Sequence, residues 1–547
     1  MLILILAFHI LLHLKPTLCK DDYKESLVIL PLSGEDIYTR FSFNFTWDGD
    51  PATKQYHHTH LFPRAVAEII GNFNVEELHL SLTQGLWRYE TWGYPFRDAA
   101  PGAELWAWFK PDTTDVDKNW KLLANALSGL LCASFNFVDG LNTVSPEYSF
   151  RPQGVIDWPK VNNSFLRYSS LPREIVCTEN LTPFTKLLPC GSKAGLSSLL
   201  NSGYIHNTKF HSLDLSLRRV CSTQECTAAN LELSLGVSLV YNYAILGTKN
   251  WSFKKLFGQG LNSRCHVASS DKIYVDLAPK ESSKQGFELE VEPETYLGKD
   301  NEVAVYELRD RRFLNVGVRY NDSVGLTLTT PVKLYAHQYL TGYGQERGGI
   351  VTEIYNNHWS SLDIVLLQNI PWYVPIYLHT LKAVSNGRTI EPTVLKYRPG
   401  KQRQKAYYLE VVYKLPPHSV TTVSIDFDYV FLKWQEYPPD ANHGFYIGSA
   451  VISCVLPKVR DDSLLWSQGL VQIRTENLVI TLPTPDFSMP YNVICLACTV
   501  VALAFGPLHN TTTKRLILMK KTRDGLLLKL KRRFLQKMAA NSEKKEE

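Results

Sequence analysis

The feature that most restricts this chain is an uncharged stretch near its C-terminus. Residues 490–508 contain no Asp, Glu, Lys or Arg. A helix needs about 20 apolar residues to cross the hydrocarbon core of a bilayer, where only helices and closed barrels satisfy their own backbone hydrogen bonds. The sequence therefore predicts one transmembrane helix at residues 490–508.

The residues after this stretch are strongly basic. Residues 509–547 contain 12 Lys and Arg side chains against 4 Asp and Glu, a net charge of +8, whereas the whole chain carries only +5. Because Lys and Arg beside a span tend to stay in the cytoplasm, we expect a basic cytoplasmic tail. Leu527, Leu530 and Phe534 fall on one helical face, which favours an amphipathic helix on acidic lipid. A disordered tail that only fixes the orientation is the alternative.

The N-terminus agrees with this orientation. Residues 2–14 form an apolar run, and Thr17 and Cys19 supply small residues before a possible cleavage site at Lys20. This pattern is typical of a secretory signal peptide at residues 1–19, although no basic residue precedes the run and two His interrupt it. A retained anchor is the alternative, but 13 apolar residues are short for a span. We expect a single-pass type I membrane protein whose bulk is lumenal.

The translocated part is predicted to hold two modules. An α+β domain is expected at residues 20–277, because alternating strand patterns such as 41–47 are mixed with helical patterns at 62–71 and from Thr114 onward. Polar segments rich in Pro and Gly indicate a linker at 278–301. A β domain resembling a sandwich is expected at 302–485, since apolar and polar residues alternate over 423–431 and residues 362–381 suggest a pair of strands. The fold class is therefore mainly β, with one transmembrane helix.

Ten cysteines bear on how the chain is cross-linked. Cys19 leaves with the signal peptide, and Cys495 and Cys498 lie in the span. Seven cysteines remain in an oxidising compartment: Cys132, Cys177, Cys190, Cys221, Cys226, Cys265 and Cys454. An odd number leaves at least one either free or paired with another chain. Cys132 lies in an apolar helical pattern that predicts a buried free thiol, and Cys221 is close enough in sequence to pair with Cys226.

Five sequons lie in the translocated part, and each predicts a surface position if it carries a glycan. They are at Asn44, Asn162, Asn180, Asn250 and Asn321. A sixth sequon, at Asn510, follows the span and should stay unmodified on the cytoplasmic side.

No enzyme motif with specificity is present in the sequence. It contains no G-x-S-x-G elbow, no Walker-type phosphate loop and no H-E-x-x-H. His57, His58 and His60 lie in a polar loop, and the acidic residues at 112–117 suit a solvated helix start, so we expect no metal, cofactor or catalytic residue. A Cys–His pair assembled in space is the open alternative. The charge balance before the tail argues against a nucleic-acid partner.

Long segments of this chain resemble the PIG-T family, a subunit of the glycosylphosphatidylinositol (GPI) transamidase. The matching segments follow the family order over nearly the whole chain, and they are residues 60–95, 102–109, 125–137, 171–200, 370–381, 432–446 and 482–502. The linker and the tail diverge. Cys454 has no counterpart in the family pattern.

The resemblance implies a non-catalytic subunit in the endoplasmic reticulum. The transamidase complex replaces a C-terminal signal of proproteins with a GPI lipid, and its chemistry belongs to a caspase-like peptidase subunit. The family joins these two subunits by a disulfide, and its cysteine lies in a C-T-E-N-L-T-P segment that corresponds here to Cys177. An internal Cys177–Cys190 pair is the alternative. An independent membrane-anchored hydrolase is the alternative function.

Overall fold

A computed structural model describes most of the chain. The described residues are 21–33, 36–48, 61–155, 162–221, 229–242, 250–277, 287–298, 302–308, 313–320, 331–343, 347–438, 443–457, 469–484, 486, 488–516 and 525–543. The expected signal peptide, the histidines at 57–60, Cys226 and the sequon Asn321 lie outside the described residues.

The N-terminal module mixes fourteen strands with six α-helices among the described residues. Its strands are β1 (Asp22–Leu32), β2 (Asp36–Trp47), β3 (Val75–Gln84), β4 (Gly102–Phe109), β5 (Thr143–Val144), β6 (Leu166–Leu171), β7 (Phe210–Cys221), β8 (Ala229–Asn242), β9 (Trp251–Ser252), β10 (Ser270–Asp276), β11 (Phe287–Leu289), β12 (Thr295–Leu297), β13 (Val303–Glu307) and β14 (Gly317–Tyr320). Its helices are α1 (Arg64–Phe73), α2 (Tyr89–Trp92), α3 (Val116–Leu131), α4 (Thr178–Lys186), α5 (Ser202–Ile205) and α6 (Phe253–Phe257). Short 3-10 turns occur at Phe135–Phe137, Asn163–Phe165 and Leu196–Leu199.

Eleven of these strands form one sheet in the order β12-β13-β10-β1-β2-β8-β7-β3-β4-β6-β5. The β1–β10 pair is parallel, and the other pairs are antiparallel. Strands β12 and β13 follow most of the expected linker, yet they pair at the edge of this sheet. The domain boundary expected at 278–301 is therefore placed too early, and the N-terminal module continues to Tyr320. The sequence pattern does not show that β12 and β13 belong to this sheet, because their pairing depends on β10, which lies earlier in the chain.

The two faces of the large sheet differ in chemistry. One face is apolar and packs on α1 and α3, and its buried cluster includes Phe41, Phe43 and Phe45 of β2 and Leu78, Leu80 and Leu82 of β3. The opposite face carries polar side chains at the alternate positions, as the two-residue period of a strand requires. These include Arg40, His79, Glu104, Asp214 and Ser216, all of them buried. Both faces are thus covered.

The second module is built from strands. They are β15 (Leu334–Tyr343), β16 (Arg347–Asn356), β17 (Leu362–Ile370), β18 (Lys382–Ser385), β19 (Arg388–Thr389), β20 (Val394–Arg398), β21 (Tyr407–Leu415), β22 (Ser419–Phe427), β23 (Phe445–Ile447), β24 (Val451–Val455), β25 (Leu470–Arg474) and β26 (Leu478–Ile480), with 3-10 turns at Leu378–Thr380 and Trp434–Glu436. Two five-stranded sheets, β15-β16-β22-β18-β19 and β20-β21-β17-β24-β25, accompany a β23–β26 pair. The expectation of a mainly β second module is confirmed.

Several local predictions hold, and others need correction. The helix expected at 62–71 is α1, preceded by Pro63. The helix expected from Thr114 is α3, but Asp115 is its N-cap and accepts a hydrogen bond from the Lys118 amide. Only β17 forms within the strand pair expected at 362–381, because Pro371 and Pro375 interrupt the pairing that a second strand would need.

Residues 484–547 form a separate unit. It contains α7 (Ser488–Thr513) and α8 (Leu526–Glu543). Within α7, Tyr491–Thr513 is long and apolar enough to cross a membrane, which agrees with the span predicted at 490–508. Helix α8 lies in the basic tail and contains Leu527, Leu530 and Phe534, the residues that predict an amphipathic helix there.

Candidate functional site

Cys177 lies immediately before helix α4. It is the N-cap residue, its backbone is extended, and its thiol is free and half-buried. The backbone amide of Cys177 donates to the side-chain oxygen of Asn180, 2.9 Å away. The local sequence fixes this geometry, because an amide side chain at the third helical position can reach back to the N-cap residue.

Asn180 also connects helix α4 to the end of helix α3. Its side-chain NH₂ donates to the carbonyl oxygens of Leu131 and Cys132, at 3.1 and 2.9 Å. The residue is only 2% exposed. The surface position that its sequon predicts is not observed, because all the polar atoms of its side chain are bonded inside the protein. The Asn180 side chain is therefore not accessible to a glycan in the folded chain.

Two exposed apolar side chains flank the Cys177 region. Glu174 accepts a hydrogen bond from the Ser134 amide at 2.8 Å, which holds the segment before Cys177 against the turn after α3. Ile175, next to Glu174, is 73% exposed, and Phe137, at the end of that turn, is 66% exposed. Cys177 therefore lies in a surface region that includes exposed apolar side chains.

Some of the other described cysteines form disulfides, and others are free thiols. Cys190 forms a disulfide with Cys265, so the alternative Cys177–Cys190 pair is wrong. Cys221 is disulfide-bonded as well. Cys454 is a buried free thiol on β24, and burial raises its pKa to about 12.

The prediction that Cys132 is a buried thiol is wrong. The chain turns into a left-handed conformation at this residue, with φ 53°, and so ends helix α3. The side chain is exposed and free. Of the free thiols between residues 21 and 483 that the structure describes, only Cys132 and Cys177 are accessible.

A second group of polar residues occupies the interface between the two modules. Arg40 on β2 pairs with Asp214 on β7, with 2.9 Å between Nη2 and Oδ1. His79 on β3 contacts Glu77 through Nε2 at 2.6 Å and Arg97 through Nδ1 at 2.6 Å. Because burial lowers the pKa of His79 to about 4, its imidazole is neutral near pH 7, and Nδ1 accepts while Nε2 donates.

Strand β25 supplies the facing side of this interface. Arg474 on β25 pairs with Glu104 on β4 through Nη2, at 3.1 Å from each carboxylate oxygen. The Gln472 amide donates to Asp98 at 3.2 Å, and burial raises the pKa of Asp98 to about 6. A cavity of about 520 Å³ lies between these groups. Salt bridges and hydrogen bonds thus join the second module to the polar face of the large sheet.

The same interface contains apolar and backbone contacts. Glu410 on β21 accepts hydrogen bonds from the backbone amides of Glu147, Tyr148 and Ser149, at 2.7 to 3.1 Å. One buried apolar cluster draws residues from both modules: Trp106, Trp108, Val144, Phe150, Leu166 and Tyr168 from the first, and Leu367, Tyr408 and Val451 from the second. The two modules accordingly behave as one compact unit.

With this geometry in view, comparison with known proteins identifies the family. The family model described as Gpi16 subunit, GPI transamidase component, matches residues 4–248 and 241–539. This chain belongs to the Gpi16 family. It is 40% identical to the human GPI-anchor transamidase component PIGT over 93% of each chain, and 41% identical to the mouse protein over the same shares. The GPI transamidase component GPI16 of Saccharomyces cerevisiae is 32% identical over 94% of this chain and 93% of the yeast protein.

One arrangement in this Gpi16-family chain resembles a hydrolase triad and needs a chemical test. The Ser216 hydroxyl lies 2.9 Å from Nδ1 of His79, whose Nε2 contacts Glu77. A general base must have a free lone pair and a pKa near the working pH. Arg97 already donates to Nδ1, and the His79 pKa is about 4. Ser216 lies within the regular pairing of β7, so we interpret the group as structural.

The structure also bears on metal binding and on the sequons. Among the described residues, no cluster of three or more His, Cys, Asp or Glu side chains is arranged to hold a metal ion.

The sequon asparagines differ in exposure. Asn162 is exposed, Asn250 is half-buried, and Asn44 is half-buried within β2 and lines the interface cavity. Polar residues that alternate with apolar ones on β2, β3 and β7 indicated a polar face in the sequence, but the pairing partners are distant: Arg474 and Glu104 are 370 residues apart.

Proposed function

We propose that this chain is a non-catalytic scaffold subunit of the GPI transamidase in the endoplasmic reticulum membrane. Family membership supports a role as a component of that complex. The observation that carries the scaffold role is the interface described above, in which two lumenal modules form one compact unit. A rigid unit can position partner subunits, proprotein substrates and GPI lipid relative to one another, and correct positioning alone can remove several kcal/mol, on the order of 7–11, from a reaction barrier.

Cys177 is proposed to form the disulfide to the caspase-like peptidase subunit. Three facts support it: the thiol is free, the residue is half-buried at the surface, and Ile175 and Phe137 are exposed beside it. The apolar side chains supply a non-covalent contact, and the disulfide makes that contact effectively intramolecular. Loss of the disulfide should therefore weaken the complex without abolishing it.

A non-reducing gel of the native complex tests this assignment. Cys177→Ser should abolish the covalent species that contains both subunits, while Cys132→Ser, which removes the other accessible thiol, should leave it intact. A complex that is still covalently joined in Cys177→Ser and lost in Cys132→Ser would assign the disulfide to Cys132 instead. Cys454 is a poor candidate because it is buried.

The catalytic residues are proposed to lie in another chain. The competing hypothesis of an independent hydrolase would have to use a group such as Ser216 with His79. Ser216→Ala should leave GPI attachment unchanged in a fully assembled complex, because we interpret this hydroxyl as structural. Loss of GPI attachment with normal assembly and normal substrate and lipid binding would show that this chain contributes a catalytic group.

The proposed topology is single-pass type I, with residues 509–547 in the cytoplasm. The span Tyr491–Thr513 and the basic tail support this orientation. Protease added to sealed microsomes should remove only a small C-terminal piece. Digestion of the large N-terminal part would reverse the assignment.

Glycans are proposed at Asn162, Asn250, Asn44 and Asn321. Asn162 is the strongest candidate because it is exposed. Endoglycosidase increases the gel mobility of a chain by removing its glycans. This shift should be smaller by one glycan in Asn162→Gln than in the wild-type chain. An identical shift in the two proteins would remove Asn162 from the set.

A further inference from the structure

The second module exposes two large aromatic side chains in one short segment, residues 431–434. Phe431 is 78% exposed and Trp434 is 53% exposed, whereas Leu432 between them is buried and holds the segment to the module. Lys433 completes the segment and is exposed. A surface with two neighbouring large aromatic side chains exposed to this degree favours contact with another molecule or with a membrane.

This segment lies next to the point where the chain leaves the lumenal unit. The Tyr437 hydroxyl, three residues after Trp434, donates to the carbonyl oxygen of Pro483. The ring of Tyr437 also packs edge-on against Phe445 of β23, at 5.7 Å between centroids, and β23 pairs with β26 just before Pro483. The 431–434 segment is therefore fixed beside the end of the folded unit.

The chain length between this point and the transmembrane helix is short. Helix α7 begins at Ser488, five residues after Pro483. Five residues span at most about 18 Å even when fully extended. Since α7 is the helix that can cross the membrane, covalent geometry keeps Pro483 within about 18 Å of its first turn.

Basic side chains lie near the aromatic segment. Arg403 pairs with Glu436 at 2.8 Å and lies 4.9 Å from the centre of the Trp372 ring, which places the 401–405 turn beside Trp434–Glu436. This pair neutralises the one acidic residue of the segment 431–437, while Lys401 and Lys405 of the same turn are exposed. The surface thus combines exposed aromatic rings with positive charge.

We propose that the 431–434 segment is a membrane-contact element that inserts into the headgroup region of the leaflet where the span begins. Trp is favoured at the boundary between headgroups and acyl chains, and Phe adds apolar area there. Lys433, Lys401 and Lys405 face lipid phosphates. The contact fixes the tilt of the lumenal unit relative to the bilayer, which a five-residue tether by itself leaves free. This inference goes beyond the scaffold role and does not depend on Cys177.

The chain provides a matched control at Trp359. This side chain is 76% exposed but lies just past Asn356, which pairs with Ser419 at the start of β22. The 431–434 segment follows Phe427, at the other end of β22. The eight residue steps from Ser419 to Phe427 separate the two ends of β22 by about 27 Å. An equally exposed aromatic side chain therefore lies far from the proposed contact.

Photo-crosslinking in native membranes tests the proposal. Benzoylphenylalanine is placed at position 431, 434 or 359 of the full chain, and only material that assembles into the complex is irradiated. Adducts at position 431 are read by mass spectrometry on the tryptic peptide of residues 415–433. We expect phospholipid adducts at 431 and 434 in at least ten-fold excess over 359.

Two results would overturn the membrane contact. Adducts at 431 and 434 that are mainly to another protein chain would make this surface a subunit interface. Phospholipid adducts no more frequent than at 359, or none at all, would show that the segment faces water. Because two neighbouring positions are tested, failure of one substituted chain to assemble still leaves a decisive measurement at the other.

Discussion

Arg474 and Glu104 form a buried ion pair that joins the two folded modules. Nη2 of Arg474 lies 3.1 Å from both carboxylate oxygens of Glu104, and each residue is almost completely buried. Burial opposes the charge on Arg474, but the attraction of Glu104, Asp98 and other nearby groups together outweighs burial and raises the pKa of the arginine. The pair thus stabilises the relative position of β25 and β4 only while both partners are present.

Removing one partner of this pair should destabilise the unit formed by the two modules strongly. Glu104→Gln leaves a buried guanidinium without its counter-charge, a loss of about 3–5 kcal/mol. The double variant Glu104→Gln, Arg474→Met should recover much of this loss. Thermal unfolding of the purified chain in detergent, followed by tryptophan fluorescence, measures both. Lys396→Gln, which breaks an exposed pair with Glu147, is the control and should leave the midpoint unchanged. A double variant no more stable than Glu104→Gln would contradict the pairing.

Asn180 should matter for stability and not for glycosylation. Asn180→Ala removes three hydrogen bonds around Cys177 and Cys132, which we expect to cost about 2–4 kcal/mol. Thr182→Ala destroys the same sequon but leaves the Asn180 amide in place, so it should change neither stability nor gel mobility. A gain in mobility equal to one glycan in Thr182→Ala would show that Asn180 is modified.

The Cys190–Cys265 disulfide should be a major stabilising element of the first module. It closes a loop over a sequence separation of 75 residues. Removing a native disulfide from a lumenal domain costs about 2–5 kcal/mol. Cys190→Ala, Cys265→Ala should therefore lower the unfolding midpoint clearly, whereas Cys132→Ser at an exposed free thiol should not. Equal midpoints for all three proteins would be inconsistent with this role.

Glu25 should make stability depend on pH. It is buried, accepts hydrogen bonds from Tyr23 and the Leu196 amide, and burial raises its pKa to about 7. Since the folded state binds this proton more tightly than the unfolded state, stability should fall as pH rises from about 4.5 to about 7. Glu25→Gln should remove up to about 3 kcal/mol of that fall. Asp271, whose pKa burial raises to about 6, contributes separately, so the difference between wild type and variant is the informative quantity. An unchanged pH slope would reject the assignment.

The tail should fold on acidic membranes. Helix α8 places Leu527, Leu530 and Phe534 on one side among basic residues. A synthetic peptide of residues 514–540 should gain helical circular dichroism on anionic vesicles and less on zwitterionic ones, because the basic residues are attracted to acidic lipid. A peptide that stays unstructured on both would favour the alternative of a disordered tail that only fixes orientation.

The sequence by itself determined the features that depend on local patterns. The uncharged stretch became α7, the Pro63 and Asp115 regions began helices, the alternation in β2 set its two faces, and family motifs identified the chain. Each of these follows from residues close together in the chain. The tertiary structure alone decided which distant residues pair: β13 with β10, Cys190 with Cys265, and Arg474 with Glu104. It also buried Asn180 and exposed Cys132, because accessibility depends on the neighbours that folding brings together.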